Sequence, residues 1–125
     1  MSTTYGPYSV CQRAGDLLFT AGQLGAIKGK APEGVREQAR QALLNLEHVL
    51  GEEDYSLSDV VKVNIYLTNI QDFATMNEVY REVFAAAGSQ PARTTVGVTG
   101  LPNVADKPLL IEIEATAYKS GKANG

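Results

Sequence analysis

Residues 58–67, Ser-Asp-Val-Val-Lys-Val-Asn-Ile-Tyr-Leu, alternate strictly at the apolar end, and this period-2 stretch lies between two longer stretches of helical period. Alternation puts Val61, Val63, Ile65 and Leu67 on one face of a strand and Lys62, Asn64 and Tyr66 on the other, the mark of a half-buried strand. Upstream, Val35, Ala39, Ala42, Leu43, Leu46 and Leu50 recur at helical spacing, with Gly51 placed to stop the helix. Downstream, Asn69 reads as a cap, with Asp72 where a carboxylate favours a helix N-terminus. The second stripe is Phe73, Met76, Tyr80, Val83, Phe84 and Ala87, and Gly88 ends it. Two amphipathic helices around a strand must bury their stripes on a shared sheet.

The rest of the chain supplies that sheet. Tyr8–Arg13 and Leu17–Leu24 are short β-prone runs around Ala14-Gly15-Asp16, which reads as a hairpin, and the Gly-rich segment 25–34 reads as a loop. Arg93–Val98 and Leu109–Tyr118 form two further strands joined by a loop bearing Pro and Gly. The order ββαβαββ gives a two-layer α+β domain with five or six strands and both helices on one face. At 125 residues there is room for one such domain, spanning 1–125, with 119–125 expected to fray.

The bulk numbers exclude several function classes. A net charge of −3 with no basic stripe argues against nucleic acid or an anionic membrane as partner. No apolar run approaches the roughly 20 residues of a membrane span, and the N-terminus lacks the regions of a signal peptide. One cysteine cannot make an internal disulfide, which suits a reducing cytoplasm.

Arg93 breaks the apolar pattern of its strand. Its planar fork can grip a carboxylate through two parallel hydrogen bonds; equally, it could pair with Glu112 or Glu114 and merely join strands. Parity places Thr94, Val96 and Val98 on one face and Arg93, Thr95 and Gly97 on the other. The uncovered face would then present Arg93, Thr95, Gly97 and Glu112, with apolar residues such as Val60. So mixed a face suggests packing against copies of the chain, with Arg93 and Glu112 near a subunit boundary. Glu112 could orient or deprotonate a water, and Glu114 reads as a solvated neighbour. His48, the sole histidine, falls opposite its helix stripe, which leaves no metal cluster and no Ser/His/Asp relay. Cys11 reads as a small buried hydrophobe. Gly22 and Gly25 form no phosphate loop, though Gly22 suits close approach of a ligand.

Several segments together resemble the RidA family (YjgF/UK114, reactive intermediate deaminases). They are Gly6-Pro7-Tyr8-Ser9, Gly15-Asp16-Leu17-Leu18-Phe19 with Ala21-Gly22-Gln23, residues 38–46, Asp59-Val60-Val61-Lys62-Val63, residues 72–77, Pro91-Ala92-Arg93, and Ile111-Glu112-Ile113-Glu114-Ala115. The resemblance implies a chorismate-mutase-like fold and a homotrimer with sites between subunits. It also implies hydrolysis of reactive 2-enamine and 2-imino acids to 2-oxo acids and ammonia, with no cofactor and no metal. Those intermediates arise from pyridoxal-phosphate dehydratases, so the activity would be that of a 2-iminobutanoate/2-iminopropanoate deaminase.

By position, Arg93 matches the family's carboxylate-binding arginine and Glu112 its water-positioning glutamate. Tyr8, Gly22 and Asn77 match cleft residues, and Thr95 stands where the family often has cysteine. Ala21 replaces a common serine, and the loop 101–108 is longer than in the best-known members. These departures keep open a larger, 2-aminomuconate-like substrate, or a non-catalytic trimer that binds carboxylate metabolites. A ribonuclease activity attributed to the family fits poorly with an acidic chain.

Overall fold

The computed structural model describes residues 4–124. Met1–Thr3 and Gly125, parts of the stretches read as leaderless and as frayed, lie outside the described residues. Eight main elements follow in order: β1 (Cys11–Ala14), β2 (Leu17–Thr20), β3 (Gln23–Leu24), α1 (Gly34–Glu52), β4 (Val60–Leu67), α2 (Phe73–Ala87), β5 (Ala92–Gly97) and β6 (Ile111–Tyr118). They form one mixed sheet in the order β1-β2-β6-β4-β5, with β3 also paired to β6. The β4–β5 pair alone is parallel, bridged by α2 as a βαβ crossover requires. The expected α+β order holds, with β3 split from β2.

Both helices pack on one face. Leu18, Val63, Ile65, Leu67, Ile111, Ile113, Ala115 and Ala117 from the strands meet Ala39, Ala42, Leu43, Leu46 and Leu50 of α1 and Met76, Val79 and Phe84 of α2. Helix α2 ends as expected at Gly88, whose φ of 72° is the left-handed stop. Helix α1 instead runs past Gly51 to Glu52, and the left-handed residue is Asp54 (φ 63°). Asn69 caps a short 3-10 turn, Ile70–Asp72, with its side chain accepting from the Gln71 N–H at 3.0 Å.

Two parity readings are corrected. A bulge between Val60 and Lys62 gives β4 one extra residue, so Val60 is buried and Val61 is 48% exposed, the reverse of strict alternation. On β5, parallel register sets Arg93 beside Val63, Thr95 beside Ile65 and Gly97 beside Leu67, all on the helix face. The face opposite the helices carries Thr94 and Val96 instead, together with Tyr66, Glu112, Glu114 and Thr116.

The chain end, read as fraying, carries contacts as far as residue 123. The Ala123 N–H donates to Asp16 at 2.6 Å, the Lys122 carbonyl accepts from Arg13, and Lys119 and Lys122 reach Asp54. Loop 101–108 is also anchored. Leu101, Val104 and Ala105 pack on Leu24, Ala26, Ala31 and Leu109, while Asp106 accepts from the Ala31 N–H at 2.8 Å.

Candidate active site

The sequence candidates fall into two groups on opposite faces of the sheet. On the helix face, α2 and the edge strand β5 bring Arg93, Asn77 and Thr95 together. Arg93 lies over the rings of Tyr80 and Phe73, its guanidinium carbon 4.6 and 5.5 Å from their centroids, and its Nη1 is 4.0 Å from the Met76 sulfur. Aromatic faces attract a cation and fix its plane without occupying its hydrogen-bond donors. The structural ion pair with Glu112 or Glu114 is not formed: β4 separates β5 from β6, and the glutamates point the other way.

Three polar atoms next to this arginine are buried with no hydrogen-bond partner among the described residues: Asn77 Oδ1, Tyr80 OH and Thr95 Oγ1. Buried polar groups without partners are rare because each forfeits its hydration. Asn77, Tyr80 and Arg93 also line a cleft of about 520 Å³ that continues past Arg81, Phe84 and Gly88 to Gln90. Tyr80 and Phe73 were missed as site residues. On a helix, aromatics at such spacing look like core, and only the neighbouring cation marks them otherwise.

The second group lies on the open face, where β6 meets the turn between β2 and β3. Glu112 sits directly over Gly22: a Cβ there would fall 2.6 Å from the Glu112 carboxyl carbon and 2.8 Å from its Cγ. Only glycine admits the carboxylate at this point. Burial, then the charge of Glu114, raise the Glu112 carboxyl above the usual carboxylate range. Tyr66, opposite Glu112 in register, donates its hydroxyl to Glu114 Oε1 at 2.5 Å. That bond, burial and the two carboxylates push the phenol up to about 12.

Other candidates stand apart. Tyr8 is half exposed in the N-terminal segment, its ring against Gly6. Ala21 is held by its N–H to the Val10 carbonyl at 2.8 Å. His48 is exposed and lies 3.5 Å from Glu52. Cys11 is half-buried, its thiol raised by burial and by Glu53 and Glu52. Among the described residues, no group of three or more His, Cys, Asp or Glu could hold a metal ion, and no helix is long and apolar enough to cross a membrane.

Comparison with known proteins adds a lineage. The endoribonuclease L-PSP family model matches residues 2–119. A RutC family protein of Pyrococcus horikoshii is 48% identical over 118 residues, covering 91% of this chain and 88% of its own. Mmf1 of Schizosaccharomyces pombe, named as mitochondrial, is 42% identical over 115 residues, 91% of this chain and 69% of its own. TdcF of Escherichia coli, whose name marks it as a candidate reactive intermediate deaminase, is 36% identical over 118 residues, covering 92% and 88%. Its crystal structure with bound serine superposes with a TM-score of 0.86 at 35% identity, covering 94% of this chain and 91% of that one.

Proposed function

Because the chain belongs to the endoribonuclease L-PSP family, we propose that it is a cofactor-free hydrolytic deaminase that converts reactive 2-enamine and 2-imino acids into 2-oxo acids and ammonia. The observation that carries this reading is Arg93. Its guanidinium lies over two aromatic rings, lines a cleft, and forms no ion pair with a carboxylate among the described residues. A free α-carboxylate supplies the missing partner in two parallel bonds. The serine bound to TdcF carries the same group.

Arg93 fixes the substrate carboxylate, and the orphaned oxygens of Asn77, Tyr80 and Thr95 stand ready to receive its N–H or a bridging water. Glu112 takes a proton from water as the oxygen attacks the C=N carbon. The carbinolamine then collapses: a proton passes to nitrogen, the C–N bond breaks, and ammonia leaves behind a C=O. Imines of this kind already hydrolyse in water, so positioning and a preorganised charge are sufficient acceleration.

Arg93 and Glu112 lie on opposite faces of one sheet, so a site using both draws on two copies of the chain. Arg93, Asn77 and Thr95 come from one copy, and Glu112 and Gly22 from its neighbour. A closed ring of three such contacts gives the homotrimer.

The test times imine loss after a serine/threonine dehydratase. Arg93→Ala is expected to abolish accelerated 2-oxo acid formation while leaving the unfolding transition in place, and wild-type rates in that variant would sink the reading. Glu112→Gln is expected to lower turnover mainly. Thr95, Ala21 and the loop 101–108 favour a larger, 2-aminomuconate-like substrate as the second reading. Comparing turnover of small and bulky imines separates the two.

A further inference from the structure

Glu112 and Glu114 project from the same face of β6, one pleat apart, yet their surroundings differ. Glu114 receives the Tyr66 hydroxyl across the strand pair at 2.5 Å. Glu112, half-buried over Gly22, receives no hydrogen bond from any described residue. In the assembled site the Arg93 guanidinium of the neighbouring copy faces Glu112; within one chain the groups among the described residues are few. From β4 come Tyr66, and Lys62, whose ammonium is taken by Thr94 Oγ1 at 2.8 Å on β5. The segment 21–24 brings no titratable side chain, and Asn64, opposite Glu114 in register, brings none either.

Two neighbouring carboxylates resist ionising together, so one accepts a proton before the other. A donated O–H favours the charged form of the carboxylate that receives it, and burial favours the neutral form of the one left bare. We propose that the Tyr66–Glu114 hydrogen bond directs the proton of this carboxylate pair to Glu112, making Tyr66 and Glu114 positioning residues for the acid–base group of the site. Tyr66 remains a donor throughout the working range because its own proton is held up to about 12. Glu112 can then collect a proton from the attacking water and return it to the departing nitrogen, while Glu114 keeps the Tyr66 hydroxyl. The inference rests on the assignment of Glu112 to water activation.

The experiment follows the Glu112 and Glu114 side-chain carboxyls by carbon NMR across pH, in substrate-free wild type, Tyr66→Phe and Glu114→Gln. In wild type Glu112 is expected to take the first proton as pH falls. In Tyr66→Phe, which keeps the ring, the Glu112 midpoint should move to lower pH. In Glu114→Gln the Glu112 midpoint should move to lower pH. The acidic limb of kcat/KM should move down with it in both variants. First protonation at Glu114 in wild type, or a Glu112 midpoint unmoved in both variants, would overturn the proposal, as would a lowered plateau with an unmoved limb. If the titrations behave as expected but wild type hydrolyses no imine, the deaminase reading fails and the proton assignment stands.

Discussion

Gly22 shows how much one side chain can decide. The Glu112 carboxylate occupies the space a Cβ would need, so the conformation of Glu112 is set by what residue 22 lacks. Gly22→Ala leaves the backbone strainless, since Gly22 is not among the residues with positive φ. It forces the glutamate, the flexible partner, to swing away. A displacement near 1 Å at a catalytic group can cost about 100-fold in rate. Gly22→Ala is therefore expected to lower kcat/KM by one to two orders of magnitude (roughly) while shifting the unfolding midpoint little. Steady-state kinetics beside urea unfolding checks both halves, and full activity would show that Glu112 has another working position.

At the scale of elements, α1 does more than cover the sheet. Gln38, buried in it, donates to the carbonyls of Pro32 and Pro108 at 3.2 and 3.0 Å and accepts from the Leu110 N–H at 2.8 Å. Asn45 donates to the carbonyls of Leu24 and Ala26 at 2.9 and 2.8 Å. These amides replace the strand pairing that the loops on either side cannot have. Gln38→Ala leaves the part-buried Leu110 N–H unpaired, which costs about 1–3 kcal/mol. A loss near 2 kcal/mol (roughly) in urea unfolding is expected, and a loss under a few tenths would mean that water replaces the amide. The sequence made both helices legible because their stripes repeat over several turns. It also made β6 legible, through the alternation of Ile111, Ile113, Ala115 and Ala117 with polar residues. The face of Arg93 was not legible. Parity counts alternate residues but cannot say which set faces inward on an edge strand with few apolar residues. Here Met76, Phe73 and Tyr80 pack against the guanidinium itself, so a cation tolerates the helix side, and Val96 is left 41% exposed. The bulge after Val60 was hidden for a related reason, since both valines satisfy either face.

At the scale of the molecule, the two half-sites pose a geometric demand. β5 forms an edge of the sheet, and the open face leaves Phe19, Val61, Val96 and Tyr118 between 41% and 48% exposed. An edge and an apolar-flecked face are surfaces a closed oligomer covers. If each site joins Arg93 of one copy to Glu112 of the next, two inactive variants can repair each other. Arg93→Ala and Glu112→Ala, co-refolded in equal amounts, place chains at random around the ring. A working site needs an intact arginine on one side, met half the time, and an intact glutamate on the other, also met half the time. About a quarter of wild-type activity is therefore expected from the mixture, against a background set by each variant alone. A site completed within one chain admits no such rescue, because every chain in the mixture lacks one of the two groups. Activity that stays at background in mixed oligomers, with mixing verified by mass spectrometry, would remove the shared site and force Glu112 out of the chemistry at Arg93.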